Sequence, residues 1–157
     1  MAQTGARLWQ VRHYLEGDLF CLTYGDGLCN VNLTNLIEFH RNHGKLGTVT
    51  GVNPPGRFGE LHLSQQHQVA TFAEKPVNET GLVNGGFFVF NHEFIERYLH
   101  SRQDLVLEHE PLQQLAADGE LMVYCHDGFW QPMDTYREWK ILEDIWQSNI
   151  APWKVWK

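Results

Sequence analysis

Residues 19–27, LFCLTYGDG, end an almost wholly apolar run at a carboxylate that lies between two glycines. The run from Leu19 to Gly25 does not alternate between polar and apolar residues, which predicts a strand buried on both faces. Such strands belong to parallel sheets that are covered by helices. Asp26 is then either the tip of a hairpin with an Asp-Gly turn, or a carboxylate at the carboxyl end of a strand, where α/β sheets bind ligands.

The rest of the chain alternates between strand-like and helix-like segments. This order predicts an α/β protein with a mixed, mostly parallel sheet, flanking helices and an antiparallel insertion. The first helix has Thr4 as its expected N-cap, and the second ends at Gly44. Helices are predicted over 4–15, 33–44, 92–100, 107–119 and 135–148. Further strands are predicted over 46–52, 61–72 (two short strands around a polar turn), 86–91 and 120–126.

The bulk composition restricts the functional class. The 157 residues carry a formal net charge of −7 and are 43% hydrophobic, which is typical of one ordinary globular domain spanning 1–157. The acidic balance argues against nucleic-acid binding, which requires a basic surface. Three cysteines without a CxxC pair favour a reducing, cytoplasmic setting over a disulfide framework. No apolar run approaches the ~20 residues of a membrane span, and the N-terminus lacks the apolar segment of a signal peptide.

Nine histidines raise the question of a metal site. His40 and His43 lie three residues apart on a predicted helix, but no HExxH motif or third clustered ligand follows. We therefore expect both to be solvated side chains at the end of the helix rather than metal ligands.

One further acidic position could complete a cation site with Asp26. Mg²⁺ is commonly held by one or two carboxylates together with substrate phosphates. Asp134 follows the strand predicted over 120–126 and precedes the last helix, so it is a candidate second carboxylate. The same place suits a helix N-cap formed by Asp134 or Thr135, and the sequence leaves both interpretations open.

A lysine and an arginine supply candidate contacts for a phosphate. Lys75 follows Glu74 and precedes a proline that keeps its backbone extended. It could direct its charge at a phosphate, or it could be a solvated residue entering a turn. Arg57, in the loop PPGRFGE, could meet an anion, although a lone loop arginine is weak evidence.

An Asn-Gly-Gly sequence opens the strand predicted over 86–91. Asn84 could bond sugar hydroxyls, and Gly85 and Gly86 would let a ligand approach the backbone closely. The two glycines could equally mark a β-bulge.

Six short motifs occur in a fixed order along the chain. They are TYGDG (23–27), PPGRFGE (54–60), EKP (74–76), NGGFFVF (84–90), GFWQPMDT (128–135) and APWKVW (151–156). Together they resemble the bacterial glucose-1-phosphate cytidylyltransferases of the sugar nucleotidyltransferase superfamily, from about Thr4 to the C-terminus. That family joins CTP and α-D-glucose 1-phosphate into CDP-glucose and pyrophosphate, and CDP-glucose feeds dideoxysugar synthesis for surface polysaccharide.

The resemblance implies a truncated Rossmann-like nucleotidyltransferase domain that uses Mg²⁺. Asp26 and Asp134 match the family's two metal-binding aspartates, and Lys75 matches the lysine that holds the sugar phosphate. The sugar phosphate attacks the α-phosphorus of CTP in line, so these three residues act by positioning and charge neutralisation rather than as nucleophiles. The positions matched to the sugar are Glu74, Asn84, Gly85 and Gly86, with Arg57 as a further candidate substrate contact.

One family motif has no counterpart in the 157 residues. The family begins with a strand and a G-G-x-G-T-R loop whose N–H groups cradle the nucleotide phosphates. Where the family usually has TGGR, this chain has Ala6 in place of the second glycine. We therefore expect the C-terminal sugar- and metal-binding portion of the fold, inactive toward CTP by itself. The alternatives are a sugar-phosphate binder without a transfer step and a non-catalytic oligomeric binding or scaffolding module.

The lack of the family's nucleotide-binding strand and loop also affects the oligomeric state that we expect. Without it, the strand 19–25 would lack one neighbour and leave apolar surface uncovered, which monomers rarely tolerate. We therefore expect a homo-oligomer, a dimer or higher, with further apolar contacts available from the N-terminal helix and the Trp-rich C-terminal segment.

Overall fold

The computed structural model describes residues 1–54, 60–63, 69–73 and 81–156, with the backbone alone at 60–63 and 69–73. Within these ranges the helices are α1 (Thr4–Val11), α2 (Leu33–His43), α3 (Glu93–Tyr98), α4 (Glu110–Ala117) and α5 (Tyr136–Gln147). A 3₁₀ turn, Arg12–Tyr14, follows α1. The strands are β1 (Leu19–Thr23), β2 (Gly27–Cys29), β3 (Gly47–Val52), β4 (Glu60–Leu63), β5 (Val69–Ala73), β6 (Val83–Asn91), β7 (Leu121–His126) and β8 (Trp130–Pro132).

The main sheet has four described strands in the order β1-β6-β3-β7. Strand β6 is antiparallel to both β1 and β3, while β3 and β7 are parallel. Strands β1, β3 and β7 therefore run in one direction and β6 runs against them, which confirms the predicted mixed α/β sheet. Two separate antiparallel pairs, β2–β8 and β4–β5, accompany this sheet, and β4–β5 is the predicted pair of short strands.

The prediction that β1 is buried on both faces is wrong. In the described sheet β1 is an edge strand paired only with β6, and although Phe20 is buried, Cys21 and Thr23 are exposed. Strand β6, by contrast, is buried on both faces over its second half, where Val89 and Phe90 are both 0% exposed. An apolar run shows that a strand can be buried, but its place in the sheet depends on which neighbours cover it.

The two faces of β6 pack against different helices. Phe88 and Phe90 belong to a large apolar cluster that includes residues of α1, α3 and α4. Val89, between them, packs instead against Leu36 of α2 in a second cluster. The sheet is therefore covered by helices on both faces, as the sequence predicts for an α/β protein. Within the described ranges, no helix has the length and apolar character needed to cross a membrane.

Two helix boundaries were predicted from single residues, Thr4 at the start of the first helix and Gly44 at the end of the second. Gly44 has φ = 68° and ends α2, so that prediction is confirmed. Thr4 does not cap α1, because Gln3 occupies the N-cap position without a side-chain bond. The Thr4 hydroxyl instead accepts from the Leu107 N–H at 2.9 Å and donates to Glu108 Oε2 at 2.8 Å. It therefore joins α1 to the segment before α4.

The prediction that His40 and His43 are solvated is also wrong, because both belong to one ring of hydrogen bonds. The Lys45 N–H donates to His43 Nδ1 at 2.9 Å, so His43 Nε2 carries the proton that it donates to the Thr48 hydroxyl at 2.7 Å. That hydroxyl donates to His40 Nδ1, and His40 Nε2 donates to Asn91 Oδ1, each at 2.9 Å. The Asn91 amide closes the ring at the Lys45 carbonyl, at 3.4 Å. Both imidazoles are neutral in this arrangement.

We expect this ring to make the fold sensitive to acid. Burial lowers the pKa of His40; the bond to Asn91 opposes this effect, and the charge on Arg41 adds to it. Burial also lowers the pKa of His43, together with the neighbouring His40 and Lys45, while Glu120 opposes the shift. The folded protein therefore binds fewer protons there than the unfolded chain, in which histidine titrates near 6.5. By linkage, the free energy of unfolding falls as the pH drops below about 6.5 and keeps falling until the lowered pKa values are reached.

Urea denaturation between about pH 7.5 and about pH 5.5 measures this slope. His40→Gln should flatten the slope, whereas His109→Gln, at an exposed position, should leave it unchanged. An unfolding free energy that stays constant over this range in the unsubstituted protein would contradict the neutral ring.

Candidate functional site

The hairpin interpretation of Asp26 is wrong for the described fold. Strand β1 before it pairs with β6, and strand β2 after it pairs with β8, so no strand returns along β1 from Asp26. In the β2–β8 pair, Gly27 lies opposite Pro132, and the Met133 N–H donates to the Asp26 carbonyl at 2.7 Å. This bond brings the segment that carries Asp134 alongside Asp26.

The contacts of Thr135, the next residue, bear on the two interpretations of Asp134, helix N-cap and candidate second carboxylate. Thr135 is the N-cap of α5 and forms a capping box, in which its side chain accepts from the Glu138 N–H at 3.2 Å. Glu138 Oε2 in return accepts from the Thr135 N–H at 2.9 Å and from the Asp134 N–H at 3.0 Å. The N-cap role therefore falls to Thr135, and the Asp134 side chain is not needed for it.

The Asn-Gly-Gly sequence lies at a bulge in β6, as one of its interpretations predicted. Between the pairs Val49–Phe88 and Gly51–Asn84, β6 has more residues than β3. Gly86 has φ = 78°, and a Cβ there would lie 2.7 Å from the Tyr24 ring. The bulge therefore needs glycine at this position, both for its backbone conformation and for its space.

The side chain of Asn84 stabilises this bulge and reaches across it. Its Oδ1 accepts from the Gly86 N–H at 2.8 Å, and its Nδ2 donates to the Tyr24 hydroxyl at 3.3 Å. On the other side, the Trp130 indole N–H donates to the Gly85 carbonyl at 2.8 Å. Trp130 thus joins the β2–β8 pair, which lies next to the two aspartates in sequence, to the strand that carries Asn84.

These elements enclose a cavity of about 240 Å³ at the ends of β1, β2 and β6. Asp26, Asp134 and Asn84, which come from three different motifs, all line it, together with both glycines of the bulge. The full lining is Tyr24, Asp26, Gly27, Asn84, Gly85, Gly86, Phe87, Trp130, Pro132 and Asp134.

A larger cavity of about 540 Å³ adjoins the first, and Tyr24 and Asp26 line both. Arg7, Thr4 and Glu108 also line it. The Tyr24 hydroxyl donates to Glu108 Oε1. Burial and this bond raise the pKa of Tyr24 above its usual value, so the phenol stays protonated and keeps its donor role.

Three candidate residues lie outside the described residues: Arg57, Glu74 and Lys75. Two others that the structure brings to the cavity, Tyr24 and Trp130, were not predicted, although both belong to motifs that the sequence singled out. Glu108 had no such indication, because it falls in a segment predicted as helix, while α4 begins only at Glu110.

The donor set at the smaller cavity fits a hard divalent cation. Two carboxylates line it, and Mg²⁺ characteristically takes one or two protein carboxylates and completes its shell with water and phosphate oxygens. In the part of the chain that the structure describes, no group of three or more His, Cys, Asp or Glu side chains could hold a metal without such additional ligands.

A family model described as nucleotidyl transferase matches residues 4–144, most of the chain. The chain belongs to the nucleotidyl transferase family. It is 46% identical over 157 residues to a glucose-1-phosphate cytidylyltransferase of Salmonella typhi, which covers 99% of this chain and 60% of that relative. A mannose-1-phosphate guanylyltransferase catalytic subunit beta of Dictyostelium discoideum is 31% identical over 127 residues, 76% of this chain and 35% of that relative.

The fold is shared with a solved structure. The crystal structure of HddC from Yersinia pseudotuberculosis superposes with a TM-score of 0.64 at 20% identity, over 89% of this chain and 60% of that one. This nucleotidyl transferase chain thus spans about 60% of the length of the cytidylyltransferase relative and of this structural neighbour.

Proposed function

We propose that this chain is the sugar-phosphate- and metal-binding portion of a glucose-1-phosphate cytidylyltransferase. The observation that supports this most is that Asp26, Asn84 and Asp134, which are far apart in sequence, line one cavity. The high identity to a relative named for that activity supports the choice of glucose 1-phosphate and CTP among the substrates of the family.

In this proposal Asp26 and Asp134 together hold one Mg²⁺. Their carboxylates lie on two segments joined by the Met133–Asp26 main-chain bond, so the β2–β8 pair sets the spacing between them. A bound divalent cation supplies neutralisation of the phosphate charge that develops during phosphoryl transfer. The protein needs no nucleophile of its own, because the sugar phosphate is the attacking group.

The sugar is held on the other side of the cavity. The Asn84 amide is fixed by its bonds to Gly86 and Tyr24, so its remaining donor and acceptor capacity is oriented before a sugar arrives. We assign Glu74 to the sugar hydroxyls and Lys75 to the sugar phosphate. Arg57 is a further candidate contact for an anionic part of a substrate.

Catalysis by the 157 residues alone is not part of this proposal. They contain no G-G-x-G-T-R loop to cradle nucleotide phosphates, so the chain by itself binds a sugar phosphate and does not transfer the nucleotide. Its setting is cytoplasmic, where CTP and sugar phosphates occur, and the product of the complete enzyme would serve polysaccharide synthesis.

Calorimetric titration of glucose 1-phosphate in the presence of Mg²⁺ tests the proposed site. We expect Asp26→Asn to weaken binding by about tenfold or more, which is ~1.4 kcal/mol. Asp104→Asn is the matched control, because Asp104 is 80% exposed and its partner is Arg102, away from the cavity. The proposal fails if the unsubstituted chain does not bind glucose 1-phosphate, or if the two variants bind it equally well.

A further inference from the structure

A chain of hydrogen bonds runs from the segment before α4 to Asn84. The Thr4 hydroxyl and the Tyr24 hydroxyl both meet the carboxylate of Glu108, one at each oxygen. Tyr24 also contacts the amide of Asn84, whose other end meets the Gly86 N–H. Tyr24 lines both cavities, whereas Glu108 lines the larger one and Asn84 the smaller one. The bonds therefore connect the wall of the larger cavity to the proposed sugar site.

The direction of each bond follows from which partner carries a proton. The Leu107 N–H can only donate, so the Thr4 oxygen accepts from it and the Thr4 proton points to Glu108. As a carboxylate, Glu108 can only accept, so the Tyr24 proton points to it as well. A phenol has a single proton, and the Tyr24 oxygen therefore meets Asn84 as an acceptor.

The orientation of the Asn84 amide is then determined at both of its ends. The Tyr24 oxygen accepts, so Nδ2 faces it at 3.3 Å, and the Gly86 N–H donates, so Oδ1 faces that group at 2.8 Å. A half-turn of the amide would bring Oδ1 against the Tyr24 oxygen, whose proton is held by Glu108. It would also bring the NH₂ group against the Gly86 N–H. Both contacts are repulsive, so only one amide orientation fits.

This orientation decides what Asn84 offers to a ligand. An amide has two N–H donors and an oxygen with two acceptor sites, so one donor and one acceptor site remain for the cavity. A sugar hydroxyl is both a donor and an acceptor, and it can meet either group or both. In a site built to bond a hydroxyl, an analogue that lacks it leaves the polar groups of the site unpaired, which produces discrimination.

We infer that Glu108 is a positioning residue for sugar recognition: it holds the Tyr24 proton, so that the Tyr24 oxygen keeps the Asn84 amide turned toward a sugar hydroxyl. Glu108 acts through Tyr24 and Asn84 rather than by touching the sugar. This role rests on the proposed function, which names the ligand, while the bonds that support it are those of the protein itself.

The negative charge of Glu108 taken alone has the opposite effect on a sugar phosphate. A carboxylate repels an anionic ligand, so loss of the charge by itself strengthens binding. Loss of the acceptor for the Tyr24 proton weakens binding, because Tyr24 is then able to donate to Asn84 and the amide is no longer held in one orientation. The sign of the change in affinity therefore separates the two roles.

Calorimetric titration of Glu108→Leu and Glu108→Gln with glucose 1-phosphate and Mg²⁺ tests the positioning role. Leucine has no acceptor, so binding should weaken by about three- to tenfold, the range of a single hydrogen bond. Glutamine keeps one oxygen, and it should serve the half-buried Tyr24, since the exposed Thr4 can bond to water. The Glu108→Gln variant should therefore bind at least as tightly as the unsubstituted chain.

Glu110→Leu is the matched control for these two variants. It removes the same charge two residues away, and the partner of Glu110 is Arg102 rather than Tyr24. Its binding should not weaken. Unchanged or tighter binding by Glu108→Leu, or an equal weakening by Glu108→Gln and Glu108→Leu, would overturn the positioning role.

Monodeoxy analogues of glucose 1-phosphate identify the hydroxyl that Asn84 recognises. Asn84→Ala should lose the preference for glucose 1-phosphate over one of these analogues. Glu108→Leu should reduce the preference over that same analogue and leave the preference over the others unchanged. A substitution that only loosens the fold would weaken all the ligands alike, and such a uniform loss would contradict the positioning role.

Nuclear magnetic resonance without ligand tests the orientation of Asn84 independently of the proposed function. The Asn84 amide protons should show a cross-peak to the Tyr24 ring and exchange slowly with water. Glu108→Leu should weaken the cross-peak and speed the exchange, while Glu108→Gln should preserve both. If the unsubstituted chain does not bind glucose 1-phosphate, the proposed function fails, but this measurement still decides what Glu108 does. A cross-peak and an exchange rate that are unchanged in Glu108→Leu would show that Glu108 does not orient Asn84.

Discussion

Replacing Gly86 with alanine is expected to destabilise the fold by about 2–5 kcal/mol and to abolish glucose 1-phosphate binding. The backbone at Gly86 has φ = 78°, which side-chain-bearing residues rarely adopt. The added Cβ would also lie 2.7 Å from Tyr24 Cδ2. Moving that ring would break its bonds to Glu108 and Asn84, which hold the wall between the two cavities.

Gly17 provides a matched control for this substitution. Its φ is 88°, but nothing lies within 4 Å of the position where a Cβ would be built. Gly17→Ala should therefore cost only the backbone strain, about 1–2 kcal/mol, and should leave ligand binding intact. Chemical denaturation of both variants measures the difference. Equal destabilisation of the two variants would mean that the Tyr24 ring can move without an energetic penalty. That result would contradict its role in holding the wall between the two cavities.

The second large effect that we expect is the absence of catalytic turnover by the chain alone. Incubating the 157-residue chain with CTP, glucose 1-phosphate and Mg²⁺ should release no pyrophosphate above a protein-free control. Enzymes of ordinary efficiency turn over at ~1–1,000 per second. Positioning of both substrates provides most of the rate enhancement in phosphoryl transfer. The 157 residues contain no G-G-x-G-T-R sequence, the motif expected to position the nucleotide phosphates. Glucose 1-phosphate binding in the same sample would show that the protein is folded.

Turnover in the ordinary range would contradict this expectation directly. It would mean that other residues position the CTP phosphates, and Arg7 in the larger cavity would then be the first cation to substitute.

The sequence predicts the elements of this fold better than their arrangement. Local patterns were sufficient for the strand ending at Asn91 and for the glycine that closes α2, because both depend on nearby residues. The partial exposure of β1 could not be predicted in the same way, since burial depends on which strands and helices are available as neighbours. His40 and His43 were misjudged for a similar reason, because their partners Thr48 and Asn91 belong to strands of the sheet.

The candidate site was likewise predicted only in part. Short motifs pointed to Asp26, Asn84 and Asp134, and the chain brings all three to one cavity. The contacts that hold the walls of the cavity in place could not be predicted from those motifs. Glu108 reaches Tyr24 across 84 residues, and Trp130 reaches Gly85 across 45, so neither contact follows from local sequence.

Mn²⁺ binding in the presence of glucose 1-phosphate, followed by electron paramagnetic resonance, tests most directly whether the two aspartates hold one ion. Asp26→Asn and Asp134→Asn should each weaken binding by about tenfold or more. In the double variant the two effects should be non-additive by more than ~0.5 kcal/mol, as expected for residues that share a ligand. Asp104→Asn should bind like the unsubstituted chain. Effects of the two substitutions that simply add, or affinities equal to that of the unsubstituted chain, would show that Asp26 and Asp134 do not share a metal ion.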